Sequence, residues 1–299
     1  MDRLTWISAL DGEWADASIP RRTRLWVVGG LAVVVTVAIL TRPPIPQIQS
    51  YNDFIDQRAM LGVPNLLNTL SNVPFLLVGL LGLFFVWRNQ ASDGGGPFVE
   101  RSEKWPYVLF FLGTALTCFG SAYYHLSPSD DRLVWDRLPM TLVFMSFFAA
   151  TIAERINVRA GVRLLLPLVV VGIGSVVYWH LSELRVTGGD LRWYVEVQYY
   201  PMLAIPIIAF LFPSRYTRGT YVFGVVALYA VAKAFELLDV STFALDQVVS
   251  GHTLKHLTAA LALYYVLWTL QRRQPLAAGL HAARNSQTGG KNDGYSLEC

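Results

Sequence analysis

Residues 66–87 read LLNTLSNVPFLLVGLLGLFFVW, a stretch without one ionisable side chain. As an α-helix it rises about 33 Å, enough to cross a bilayer core of about 30 Å. Similar apolar runs recur near 25–41, 106–126, 137–154, 163–180, 199–213, 219–240 and 252–270, with polar residues between them. The predicted fold class is therefore all-α, a polytopic membrane helix bundle of eight spans. The shortest run, 199–213, holds Pro201, Pro206 and Pro213, which neighbouring helices in a bundle can accommodate.

Composition agrees with a lipid-solvated chain. Of 299 residues, 54% are hydrophobic and only 15% charged, against about 25% charged in an ordinary soluble domain. That excludes a disordered chain, a basic nucleic-acid binder and most water-soluble enzymes. Cys118 and Cys299 are too few for a disulfide scaffold or a thiolate metal site. Arg21, Arg22 and Arg24 precede the first run, yet about twenty residues stand before them and Thr41-Arg42-Pro43-Pro44 follows without a small-residue cleavage pattern. The run reads as an uncleaved helix, not a secretory signal.

Orientation follows from the basic residues, which concentrate in cytoplasmic loops. With a cytoplasmic N-terminus, 16 of the 24 Lys and Arg fall on that side and 6 on the other, while Lys233 and Lys255 lie inside spans. Both termini are then expected in the cytoplasm. The polar tail from Gln274 and the loop from Asp93 to Gly96 read as disordered from their composition.

Ionisable residues inside spans are costly and mark function. His125 ends the third span, with Ser121 four residues earlier on the same helix face; Asp136 opens the fourth span; His252 and His256 share a face at the start of the eighth. The topology puts all five groups near the outer interface. Histidines there can simply be hydrogen-bonded, which is the reading for His180, and His281 lies in the polar tail. Three histidines at one depth can instead hold a metal ion and leave a fourth position open, the arrangement of a catalytic zinc. Zinc lowers the pKa of bound water to about 7. Asp136 could then act as general base, and Ser121 as a donor to the developing oxyanion. Trp135, Trp179 and Trp193 fall near the same interface, as anchoring aromatic belts do.

The pattern Ser121-x3-His125, Asp136 and His252-x3-His256 resembles the alkaline ceramidases of the CREST superfamily of seven-helix membrane hydrolases, which also includes the progestin and adiponectin receptors. Asp136-Arg137-Leu138-Pro139-Met140 is similar to the family's D-x-L-P-M, and Glu154 sits where that span ends in Glu. Asn68-Thr69-Leu70-Ser71-Asn72 resembles its N-T-x-S-N, and Leu237-Leu238-Asp239 the end of its sixth span. The resemblance covers residues 51–271, a seven-helix core. Residues 1–50 add a cytoplasmic N-terminus and an extra transmembrane helix, and 272–299 a cytoplasmic tail.

The resemblance implies that His125, His252 and His256 bind Zn2+, with Asp136 and Ser121 at the zinc-bound water. The expected activity is hydrolysis of the N-acyl amide of ceramide or a related membrane lipid, giving a fatty acid and a sphingoid-like base on the extracytoplasmic side. Eukaryotic members also hold calcium just before the first family span. Here Asp53 and Asp56 keep two acidic groups, but Arg58 stands at the next ligand position and Asn65 at a later Glu position. A cation beside Ca2+ opposes binding, so the site reads as degraded and calcium is not expected. Two rival classes are a receptor on the same scaffold, which turnover of lipid amides would separate, and a metal or proton transporter. A transporter needs polar residues through the full bilayer depth, whereas Val108 to Leu116 and Leu261 to Trp268 are nearly pure hydrocarbon.

Overall fold

The computed structural model describes residues 19–89, 96–185 and 187–276. The readings of disorder therefore fall largely outside the described residues: 93–95 and the tail from 277, with His281, are not among them. Ten α-helices follow in order among the described residues: α1 (Arg21–Leu40), α2 (Leu66–Leu70), α3 (Val73–Arg88), α4 (Lys104–Leu126), α5 (Asp130–Arg155), α6 (Val158–Ser182), α7 (Arg192–Leu211), α8 (Tyr221–Leu237), α9 (Asp239–Asp246) and α10 (Gly251–Arg272). No strand accompanies them among the described residues. The all-α bundle expected from the apolar runs is what forms.

Six segments are long and apolar enough to cross a membrane, and seven if the bent pair α8 and α9 is one span. Eight were expected. The difference is α10, which has the length but carries His252, Lys255 and His256 in its first turns, diluting its hydropathy. Large apolar side chains face outward along the spans, among them Val33, Val34, Leu80, Phe84, Leu166 and Val170. A water-soluble monomer does not expose such area, so this is a membrane protein.

Breaks in two spans have local causes. Between α2 and α3 the Ser71 hydroxyl and Asn72 amide donate to the Asn68 carbonyl at 2.9 and 2.8 Å, and Pro74 supplies no N–H in the next turn. The α8–α9 pair bends by 77° at Leu238. Helix starts are capped: Ser129 accepts from Arg132 N, with Asp130 and Asp131 in the first turn of α5, and Ser250 accepts from Thr253 N to open α10.

Phe110, Phe111, Phe147, Ile205, Ile208, Leu267 and Leu270 belong to the main buried cluster of the bundle. The first helix lies outside this core with no buried residue. It leans on α7, where the Thr36 hydroxyl bonds Glu196 and the Arg24 guanidinium bonds the Leu211 carbonyl at 2.8 Å. The tail reading from Gln274 needs a correction at its start: Tyr216 and Pro275 pair, and Leu276 N donates to Arg215 O at 2.9 Å. Backbone bonds, invisible to composition, hold residues 274–276.

Candidate metal centre and hydrolytic site

Close backbone approach brings the site's helices together. A Cβ on Gly120 would meet the Trp135 carbonyl oxygen at 2.0 Å, so only glycine lets the end of α4 lie against the start of α5. Ser121 and Asp136, the next residue on each side of that contact, are thereby brought together, and Ser121 is a hydrogen-bonding partner of the Asp136 carboxylate. Gly251 plays the same part for α10, since a Cβ there would meet the Phe235 carbonyl oxygen at 2.3 Å. The start of α10 is fixed by Asp239, whose Oδ1 accepts from His252 N at 2.7 Å, and by Asn68, whose Oδ1 accepts from the Thr253 hydroxyl at 2.8 Å.

His125, His252 and His256 converge. All three are buried, at 1%, 4% and 5% exposure, and one nitrogen of each lies within 4.8 Å of the others. Ring centroids are 4.8 to 4.9 Å apart for every pair. The Phe54 ring covers His125 and His252 at 4.7 and 4.5 Å. His180 stays apart, half-exposed near Asp131 and Glu183.

Two observations test whether these histidines suit a metal ion. The Nε2 atoms of His125 and His256 are 3.3 Å apart, and the edge of a tetrahedron with Zn–N bonds of 2.0–2.1 Å is about 3.3 Å. The Nδ1 of His256 is bonded to the Ser71 hydroxyl at 2.7 Å, which orients the ring and leaves Nε2 for a ligand role, while His125 Nδ1 is buried without a partner. The set fits. Lys255 Nζ stands 3.0 Å from His252 Nε2 and is also held by Glu236 Oε1 at 3.1 Å, the partner that keeps the lysine if His252 turns to an ion.

A cavity of about 350 Å³ opens beside the histidines. Its lining includes Ser121, Asp136 and His256 together with Phe110, Phe144 and Phe147. One cavity thus brings a carboxyl group and an imidazole together with aromatic side chains.

The remaining candidates lie elsewhere. Asp53 is exposed. Asp56 is 3% exposed, and its carboxylate accepts from Arg58 Nε and Nη2 at 2.7 and 2.9 Å; that guanidinium holds Asp56 below the usual carboxylate range. The same arginine donates to the Gln247 and Val248 carbonyls. Asn65, at φ 49°, donates instead to the His125 carbonyl at 2.9 Å. Trp179 departs from the belt reading. It is fully buried, its indole N–H donates to the Gly188 carbonyl, and its ring lies under the Arg137 guanidinium.

Residue-by-residue reasoning missed Ser71, Asn68, Asp239 and Phe54. The first three sit in motifs flagged by resemblance, but their partners are at least a dozen residues away in sequence, and no spacing discloses the partner. Phe54 gave no signal.

No curated protein matches the chain. The family model described as Ceramidase matches residues 61–188, which contain Ser121, His125 and Asp136. Over that segment, less than half of the chain, the protein is similar to the ceramidase family, the family of amide hydrolases its motifs resemble.

Proposed function

We propose that this membrane protein is a zinc-dependent hydrolase that cleaves the N-acyl bond of ceramide or a related lipid amide. The observation that carries the reading is the 3.3 Å approach of His125 and His256 Nε2 in a buried triad, beside a cavity that also holds Asp136. His125, His252 and His256 are the metal ligands. The bound ion supplies a Lewis acid that polarises the amide carbonyl and makes water nucleophilic near neutral pH.

The chain's own residues do the rest. Asp136 takes a proton from the attacking water as the oxygen–carbon bond forms. It returns that proton to the amide nitrogen as the carbon–nitrogen bond breaks, so the products are a carboxylic acid and an amine. Ser121 holds the Asp136 carboxylate in place. A hydroxyl has one proton to give, so this role replaces the oxyanion role read from the sequence. The Phe side chains of the cavity accept the acyl chain, and Phe54 keeps bulk water from the triad. Both termini are cytoplasmic and the triad faces the extracytoplasmic side, as the distribution of basic residues supports.

The test is metal analysis of detergent-purified protein followed by mass spectrometry of a lipid-amide panel. About one zinc per chain with release of fatty acid is expected. Full turnover by metal-free protein, or no turnover of any lipid amide by the zinc-loaded form, overturns the reading.

A further inference from the structure

Arg137 is a buried cation with no carboxylate in ion-pair contact among the described residues. It is 5% exposed. Its Nη2 donates to the neutral Gln47 Oε1 at 2.6 Å, and its guanidinium lies over the rings of Trp179, Tyr194 and Tyr51 at 4.3, 4.6 and 5.8 Å. Nη1 has no hydrogen-bond partner. No ion pair joins Arg137 to an acidic side chain among the described residues, although Asp136 is its neighbour in the chain. Aromatic faces offset part of the cost of burying a guanidinium, but they accept no proton from its unused N–H.

The surroundings sharpen the point. Arg137 lines the cavity together with Asp136, Lys233, Glu236 and Lys255. Three cationic side chains thus meet two carboxylates. Glu236 is already taken, bonded by Lys233, by Lys255 at 3.1 Å and by the Tyr51 hydroxyl at 3.1 Å. The wall is left with an excess of positive charge next to the candidate base, in a chamber of about 350 Å³ that suits one ligand.

We infer that Arg137 receives an acidic group on the substrate, a carboxylate or phosphate carried by the lipid amide close to its scissile bond. The preferred substrates are then anionic N-acyl lipids. The planar fork of arginine matches both oxyanions with paired N–H donors, and Gln47 and the aromatic box hold it in register. The inference rests on the amide-hydrolase reading and names the class of substrate for it.

The test compares the full-length wild type with R137Q and R137K on substrates of one acyl chain: an N-acyl glycine, a ceramide 1-phosphate, an N-acyl ethanolamine and a ceramide. Binding of each is measured in parallel by Trp fluorescence, with free fatty acid as a further ligand. For at least one anionic amide, wild-type kcat/KM should exceed that of the neutral amides by about tenfold or more, and R137Q should erase most of that ratio. The carboxylate and phosphate arms identify which oxyanion is read. If R137Q does not fold, R137K decides, since it keeps the charge but loses the fork and should lower the ratio by roughly threefold or more.

A wild type that favours neutral amides, a ratio unchanged by substitution, or Arg137-dependent binding confined to the free fatty acid overturns the inference while leaving the hydrolase standing. Arg137-dependent binding of an anionic amide that the zinc-loaded protein never cleaves does the reverse.

Discussion

The two ends of the bundle treat buried charges in different ways. About 27 Å along α5 from Asp136, Glu154 accepts from Arg273 Nη1 at 2.9 Å and from the Ser214 hydroxyl at 3.2 Å, with the Tyr107 and Tyr221 hydroxyls on its second oxygen. Arg215 meets Glu103 and Glu100 at the same end. There, opposite charges close on each other around Phe98 and Tyr216. At the histidine end, His125 Nδ1, Asn65 Oδ1 and Arg137 Nη1 are buried without partners beside a cavity. One end sets its buried carboxylates against arginines. The other keeps unmet valences, which is what a site for an ion and a substrate requires.

The largest test of that contrast is His252→Ala. It should remove bound zinc and lipid-amide hydrolysis together while the protein still purifies as one species, because the Glu154 end is untouched. Unchanged zinc content would take His252 out of the ligand set. Asp136→Asn comes next: it should keep the metal and lose roughly 10²- to 10⁴-fold in kcat, and full activity would show that another group moves the proton.

At the Glu154 end the readout changes from activity to stability. Glu154→Ala leaves the Arg273 guanidinium buried and unpaired, at a cost of about 3–5 kcal/mol. A fall in thermal stability with zinc content per folded chain preserved would sharpen the contrast; loss of zinc with no loss of stability would break it. A smaller effect is expected from Ser71→Ala, which frees the His256 Nδ1 bonded at 2.7 Å. Metal affinity should drop by about 10- to 100-fold, with activity returning at saturating zinc. An unaltered zinc titration would remove Ser71 from the site's support.

The smallest effect belongs to the loop before α2, where Arg58 holds the Asp56 carboxylate. That carboxyl titrates below its ordinary range in the folded protein. The pair therefore adds stability that is complete above the unfolded value of about 4 and fades as pH falls through the lower folded value. The difference in melting temperature between wild type and Arg58→Ala should be small, constant from neutral pH to about pH 5, and vanishing in stronger acid. A difference that grows on acidification would contradict the sign.

Much of this was legible beforehand. The apolar runs located the helices because a lipid-facing helix must be hydrophobic along its whole length, and the i, i+4 spacing of His252 and His256 put both rings on one face. Each of the eight apolar runs forms a helix, and α10 is one of the least apolar because the residues that make the site also make its helix polar. Trp179 was misplaced for a related reason: an aromatic ring near an interface can face lipid or a buried guanidinium, and only its neighbours decide which.

By itself, then, the amino-acid order determined the bundle, the depth of the five candidate groups and their chemical types, since helical period and hydropathy are local properties. Which nitrogens face one another, that Ser71 and Asp239 steady the histidine end, that Arg137 has no ion-pair contact among the described residues, and that Glu154 pairs with Arg273 at the far end were decided by tertiary packing. Each depends on distances between segments far apart in the chain, set by close contacts such as Gly120 against Trp135.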